Sequence, residues 1–213
     1  MDPKALPGAA DDRAVDGDVS TYLEDLLVGE LEPLAADSPD ERRIHVELVG
    51  PHLRIMGTAM LGRFRRLSDF VNHEQGLILL RNATVLRRNG TPTRVTAKDI
   101  WISPGEVTLI GELFAGAARV AAPEFRVPKR PEQLVVVTPG HLLTGSVFLP
   151  VDGDLSPFVE SSDPPFVPMS DVRTRSLADR RIIARYPFAL LNRRHIVATT
   201  RLPEGMAPGQ SVL

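Results

Sequence analysis

From Ile44 onward, apolar and polar residues alternate over short stretches, a pattern that is typical of β-strands with one buried face. Clusters of Gly, Pro, Asn and Ser separate the stretches and mark turns. Asn89-Gly90 is a strong hairpin signal, because both residues tolerate positive φ. The predicted strands are 44–48, 53–60, 77–88, 93–102, 107–114, 134–137, 141–149, 166–173, 181–191 and 195–201.

One short segment inside this strand pattern has helical spacing instead. Leu67, Phe70 and Val71 stand at i, i+3 and i+4, and Ser68 can cap the turn. The spacing predicts a short helix after the second strand. Its apolar side is expected to close one end of a small barrel.

The same segment returns later in the chain. Residues 67–72 read Leu-Ser-Asp-Phe-Val-Asn, and residues 155–160, eighty-eight positions later, read Leu-Ser-Pro-Phe-Val-Glu. The match extends upstream at the same offset and continues downstream after a slip of one residue. Self-similarity of this kind indicates two copies of one structural unit. The structural motif predicted from the match consists of Gly57, Leu67, Ser68, Asp69, Phe70 and Asn72 in the first copy and Gly145, Leu155, Ser156 and Phe158 in the second.

Five short antiparallel strands per copy favour a small barrel, because closure removes exposed edges. Glycine inside the second strand of each copy marks a bend or bulge of the kind that barrels need. The predicted fold class is therefore mainly β, with two tandem five-stranded barrel-like domains, each with a short helix after strand 2, preceded by an N-terminal helical arm. The predicted domains are an acidic arm 1–40, barrel repeats 41–114 and 134–201, a Pro-rich linker 115–133 and a flexible tail 202–213.

Charge is distributed unevenly between the arm and the rest of the chain. Residues 1–40 hold two basic and eleven acidic residues, although the whole chain of 213 residues has a net charge of only −2. The body is therefore basic, and arginine dominates it. There is no cysteine, which excludes a disulfide framework and a thiolate metal site. Neither a membrane span nor a signal peptide is recognised, so the sequence predicts a cytoplasmic protein with no membrane partner.

Within the acidic arm, apolar residues recur at helical spacing and predict a helix over residues 19–32. Pro33 ends it. Two interpretations stay open: the apolar side packs on the body of the same chain, or it docks on a protein partner. The candidate partner-binding residues are Leu23, Leu26, Leu27 and Leu31.

An apolar-x-Gly sequence, followed by Arg-Leu-Ser-Asp-x-apolar-Asn and an apolar strand, resembles an uncharacterised bacterial family of small β-domains, a domain of unknown function. The residues that carry the resemblance are Gly57, Arg66, Leu67, Ser68, Asp69 and Asn72. It covers both copies, but Pro157 and Glu160 replace the Asp and Asn in the second. The family implies a small β-domain and no activity.

A second resemblance is to Sm-like barrels, which also place a glycine, an Asp and an Asn before the third strand. Such barrels bind single-stranded RNA in ring assemblies. The spacing here departs from theirs: Gly57 and Asp69 are too far apart, and Asp69 and Asn72 are too close. Sm-like barrels also begin with a helix and have none after the second strand, so the likeness implies shared small-barrel physics.

The sequence contains no convergent catalytic set. Its histidines lie at no metal-ligand spacing, its glycines form no phosphate-binding loop, and the Ser68–Asp69 pair is better explained by helix capping. The predicted function is a non-enzymatic protein-interaction or assembly module, a scaffold without a cofactor, that binds a protein partner or itself.

The alternative function is binding of RNA or single-stranded DNA by the arginine-rich body, with the acidic arm as a mask. Arginine is suited to phosphate contact, although few aromatic residues are present to stack on bases. The candidate nucleic-acid or anion-binding residues are Arg63, Arg65, Arg66, Arg87, Arg88, Arg180, Arg181, Arg193 and Arg194.

Overall fold

The computed structural model describes residues 42–73, 76–87, 93–114, 128–161, 163–178 and 182–202. The elements of the first half are β1 (Arg43–Val49), β2 (Leu53–Met60), helix α1 (Leu67–His73), β3 (Ile78–Arg87), β4 (Thr93–Ile102), a 3-10 turn (Pro104–Glu106) and β5 (Leu109–Glu112). Most bounds lie within a few residues of the predicted ones, because the period-two pattern and the turn residues agree with each other.

The second half repeats this order of elements. It consists of β6 (Lys129–Thr138), β7 (His141–Pro150), helix α2 (Leu155–Glu160), β8 (Phe166–Ser176), β9 (Ile182–Asn192), a second 3-10 turn (Arg193–His195) and β10 (Ala198–Arg201). The one-residue slip between the halves falls in the connection from the helix to the next strand, because the strand registers on both sides of it match.

All ten strands form one antiparallel sheet in the order β10-β6-β7-β8-β9-β5-β1-β2-β3-β4. The prediction of a mainly β protein is confirmed. The prediction of two separate barrels is not, because β5 pairs with β1 on one side and with β9 of the other half on the other side. Within the described residues the sheet is not closed, and β4 and β10 stand at its two ends.

The sheet buries two hydrophobic cores, one for each half. Leu48, Leu80 and Phe70 belong to the first core, and Leu134, Leu143 and Phe158 belong to the second. The buried side of α1 is formed by Leu67, Phe70 and Val71, as the helical spacing predicts. Each core also takes residues from the other half where β5 meets β9, so the halves share their apolar burial.

Both predicted glycine bends are present as β-bulges. The β2–β3 register shifts between Met56 and Thr58, across Gly57, and the β7–β8 register shifts between Thr144 and Ser146, across Gly145. A Cβ at either glycine would press on the facing strand, with the nearest heavy atom 3.1 Å or 3.0 Å away. Glycine is needed because the facing backbone approaches closely.

One strand begins well before its predicted start. Strand β6 begins at Lys129, inside the predicted linker. Pro131 fits there because β6 faces β7 on one side, while β10 pairs only with residues 134–137 on the other, so the missing N–H lies beyond β10. In α2, the capping residue is Asp154: its extended backbone precedes the helix, and its carboxylate accepts a bond from Leu155 N.

The acidic arm, most of the predicted linker and most of the C-terminal tail lie outside the described residues, as do Leu23, Leu26, Leu27 and Leu31. Within the described ranges, no helix has the length and the apolar character that a membrane crossing requires.

Candidate protein-interaction site

The two end strands of the sheet present backbone groups that no other described strand uses. Strand β4 pairs only with β3, and β10 pairs only with β6, among the residues that the structure describes. An exposed strand edge offers unpaired N–H and C=O groups to another strand. These two edges are therefore the candidate interaction site.

Apolar side chains accompany both edges. Near β4, Leu77, Val95 and Trp101 are exposed large hydrophobic residues, and near β10, Val197 and Val159 of α2 are exposed as well. An apolar surface of this kind beside free backbone groups is typical of protein contact.

The two halves of the sheet meet where β5 of the first half pairs with β9 of the second half. At this joint Leu109, Ile110 and Gly111 of β5 face Leu191, Leu190 and Ala189 of β9. We call this pairing the internal joint. It is fully buried at its centre, because Leu109, Leu190 and Leu191 have no exposed surface.

Hydrogen bonds around the two 3-10 turns hold one end of the internal joint together. Asn192 donates from Nδ2 to the carbonyl of Val107 at 2.9 Å, and its backbone N–H donates to Thr108 O at 2.9 Å. His195 donates from Nε2 to Gly105 O at 3.0 Å, and its Nδ1 lies 2.8 Å from the Thr108 hydroxyl.

A buried polar network crosses the internal joint. Arg54 of β2 donates from Nε to Oε1 of Glu47 on β1, and Tyr186 of β9 donates from its hydroxyl to Oε2 at 2.6 Å. All three side chains are buried. Burial and the Glu47 charge raise the pKa of Tyr186 well above its ordinary value. Burial alone would lower the pKa of Arg54, but Glu47 outweighs it and raises that pKa.

The motif residue Asn72 also connects the two halves. Its Nδ2 donates to Phe166 O at 3.0 Å, and its Oδ1 accepts from Phe166 N at 2.9 Å. This two-point contact holds the start of β8 against α1. Ser68 and Asp69, by contrast, bond to each other at 3.4 Å in the first turn of α1. The sequence motif therefore has an inter-half contact that its spacing alone did not indicate.

Replacing Asn72 with leucine is expected to lower the free energy of unfolding by about 1–2 kcal/mol, since both backbone groups of Phe166 lose their partner. Chemical denaturation followed by circular dichroism measures the change. Asn72→Asp is the matched variant: it keeps the acceptor for Phe166 N but loses the donor to Phe166 O. We expect it to fall between the wild type and Asn72→Leu, and equal stability of all three proteins would contradict the structural role.

The predicted anion-binding arginines that the structure describes lie on two turns, one in each half. Arg63, Arg65 and Arg66 lie exposed in the loop before α1, and Arg63 stands over the ring of Phe64 at 5.1 Å. Arg194 is exposed in the second 3-10 turn. The side chain of Arg87 and the residues Arg88, Arg180 and Arg181 lie outside the described structure.

Arg193 contacts other parts of its own half of the chain. Its guanidinium lies 4.8 Å from the ring centre of Phe158, and its Nε donates to Pro164 O at 3.0 Å. Burial lowers the pKa of Arg193, and Asp163 partly opposes the effect. Arg193 therefore anchors the segment before β8 to α2.

A pocket with a volume of about 400 Å³ lies on the β3–β4 hairpin and is lined by Arg81, Asn82, Lys98 and Asp99. Asn82 has a φ of 49°, as Asp171 has 54° in the second half, because both stand opposite a bulge glycine. The sequence places basic residues on this hairpin, and the bulge at Gly57 lies opposite this part of it.

The described residues contain no group of three or more His, Asp and Glu side chains that could hold a metal ion. His45 bonds Thr58 Oγ1 at 3.1 Å and lies edge-on to Phe114, and burial lowers its pKa. His45 and His195 thus both have packing or hydrogen-bonding partners in the fold.

No family model, no curated protein and no solved structure matches this chain. Its function is therefore argued from its own geometry.

Proposed function

We propose that this protein is a non-enzymatic protein-interaction module that binds protein through the end strands of its sheet. The observation that carries the proposal is the ten-stranded sheet, which is open within the described residues. Its end strands β4 and β10 each pair with only one described strand and are accompanied by exposed apolar side chains. Strand addition to such an edge gives affinity through the main chain and specificity through alternate side chains.

The internal joint supports this proposal. There, β5 and β9 come from different halves and yet pair through only three facing residue pairs. Flanking side chains complete the contact, above all Asn192 and Asn72. A short strand pairing with flanking polar contacts thus joins the two units of this fold, and the end strands offer the same kind of surface.

The proposal is tested by measuring the native mass of the full chain alone and after incubation with cell extract. Each measurement is repeated with the double variant Trp101→Asp/Val197→Asp, which places a charge beside each edge. The expected result is a stoichiometric protein complex that survives nuclease treatment and that the double variant loses. A strict monomer that captures no protein, with no change on deletion of residues 1–40, would overturn the proposal.

One observation favours nucleic-acid binding as a second candidate: Arg63, Arg65 and Arg66 are exposed together, with Phe64 beneath Arg63. The acidic arm would act as a mask, so a chain lacking residues 1–40 should bind single-stranded RNA more tightly than the full chain. Fluorescence anisotropy over a salt series measures this. The binding constant should fall steeply with salt, and no binding at low salt would remove this candidate.

A further inference from the structure

The two end strands of the sheet are equivalent to the two strands that pair at the internal joint. In the second half, β9 occupies the place that β4 has in the first half, and β10 occupies the place of β5. The internal joint pairs β9 with β5. Strand β4 is thus the equivalent of β9, and β10 is the equivalent of β5. Each of them has only one neighbour among the described strands.

Strand registers define the equivalent residues. Ile78 pairs with Ile102 as Val167 pairs with Leu191, so Trp101 is equivalent to Leu190. Val49 pairs with Leu109 as Val137 pairs with Ala198. Residues 198–201 of β10 therefore correspond to residues 109–112 of β5.

On the β4 side, the exposed apolar residues are the equivalents of residues buried at the internal joint. Trp101 is 61% exposed, whereas its equivalent Leu190 is 0% exposed in the first core. Leu77 is 55% exposed, whereas its equivalent Phe166 is 2% exposed in the same core. The β4 edge therefore carries apolar side chains that a second joint would cover.

The β10 side shows the same relation. Val197 is 69% exposed, and its equivalent Thr108 is 0% exposed beneath the turn of the second half. Val159 of α2 is 40% exposed, and its equivalent Val71 of α1 is 3% exposed. Both sides of the internal joint thus have exposed apolar counterparts, one at each end of the sheet.

The turns at the two ends carry complementary charges. At the internal joint, the ring of Tyr186 packs on Gly111. The equivalents are Ala97 on β4 and Thr200 on β10, so the tyrosine ring is not repeated there. Glu106, equivalent to His195, and Arg194, equivalent to Gly105, are both exposed and would lie beside each other with opposite charge.

A second joint would lack the buried ion pair of the internal joint. Glu47 and Arg54 correspond to Val135 and Leu142 in the second half, where the same positions are apolar. The polar network of the internal joint is therefore absent from the equivalent positions of β6 and β7. This avoids the penalty of burying a charge without its partner.

We propose that copies of this chain associate head to tail, with β4 of one copy pairing antiparallel with β10 of the next. The register follows from the internal joint: Ile102, Trp101 and Ile100 of one copy face Ala198, Thr199 and Thr200 of the next. This inference rests on the proposed function and names its partner as a second copy. Because the interface is heterologous, it produces a ring where the rotation closes and a filament where it does not.

The chain contains a single tryptophan, Trp101, which makes the test specific for the site. Native mass and Trp emission are measured together over a dilution series from about 100 µM to about 0.1 µM. The expected result is an oligomer whose emission is blue-shifted, and whose emission moves to the red as dilution releases monomers.

Two edge variants test the two sides separately. Trp101→Asp blocks β4, and Val197→Asp blocks the β10 side; each is expected to weaken association at least about tenfold. Leu177→Asp is the matched control, since Leu177 is 44% exposed in the turn after β8 and lies at no equivalent of the joint. Circular dichroism melting checks that all three variants stay folded.

Mixing the two edge variants gives the decisive result. Trp101→Asp retains a free β10, and Val197→Asp retains a free β4, so an equimolar mixture should form a one-to-one dimer and nothing larger. A monomeric mixture, or self-association of either variant alone as strong as that of the wild type, would overturn head-to-tail pairing. Monomeric wild type with dilution-independent blue emission would overturn it too, because Trp101 would then be covered within its own chain.

The same measurements distinguish failure of head-to-tail pairing from failure of the proposed interaction function. Wild type that is monomeric but captures another protein, and loses that protein in the Trp101→Asp variant, would refute the second copy as partner and leave the interaction function standing. Monomeric wild type that captures nothing would refute both.

Discussion

Replacing Arg54 with leucine is expected to lower the free energy of unfolding by about 3–5 kcal/mol, the largest single effect that the structure indicates. Glu47 is 1% exposed, and Arg54 supplies its compensating charge. Without the guanidinium, the carboxylate stays buried with only the Tyr186 hydroxyl as hydrogen-bond donor among the contacts described above. A buried charge that loses its partner costs far more than the pair contributes when intact.

The measurement is urea denaturation followed by circular dichroism, with the slope of the transition checked for constancy. Arg130→Leu is the matched control, because Arg130 forms a bond of 2.6 Å with Glu132 at a half-exposed position. An exposed pair contributes at most about 1 kcal/mol. A loss for Arg54→Leu no greater than that of Arg130→Leu would refute the role of the network.

A compensating variant separates loss of the charge partner from loss of packing. The second half holds Val135 and Leu142 at the positions of Glu47 and Arg54. Glu47→Val combined with Arg54→Leu therefore copies an apolar pair that the second half already holds at these positions, and it should recover most of the stability lost in Arg54→Leu. Adding Tyr186→Phe removes the hydroxyl that would otherwise be left without an acceptor.

The sequence predicts the strands of this protein well and their assembly less well. Alternating residues and the turns at Gly50 and Pro104 define where the strands begin and end, because they act locally. The choice between a closed barrel and a joined sheet depends on whether β5 pairs with β4 or with β9. The four residues of β5 are all buried, and their pattern is the same for either neighbour, so the sequence leaves this choice open.

The network at the internal joint was missed for a related reason. Arginine and glutamate are usually exposed, so Arg54 and Glu47 appear in the sequence as solvent-facing residues. A signal is present, since both stand within apolar strands on either side of the Gly50 turn. The third member, Tyr186, lies 139 residues from Glu47, and only the pairing of the two halves brings it there. The role of Asn72 depends on the same long-range pairing.

Gly111→Ala is expected to lower the free energy of unfolding by about 3 kcal/mol, because an added Cβ would overlap the ring of Tyr186. Neither group has room to move: Tyr186 is 2% exposed and its hydroxyl is held by Glu47, while Gly111 faces Ala189 in the strand pairing. Urea denaturation measures the loss. Gly105→Ala is the control, since a Cβ there would meet only Ser103 Oγ, at 3.7 Å.

A double-mutant cycle identifies the ring as the cause of that loss. Tyr186→Leu removes the ring but leaves Glu47 without the hydroxyl, so it is destabilising by itself. If the Cβ added by Gly111→Ala and the ring compete for the same space, the combined variant should be more stable than the sum of the two single losses predicts, by about 1–2 kcal/mol. Additive losses would show that the two sites are independent. The cost of Gly111→Ala would then arise in the β5 backbone, and the internal joint would owe nothing to the packing of Tyr186 on Gly111.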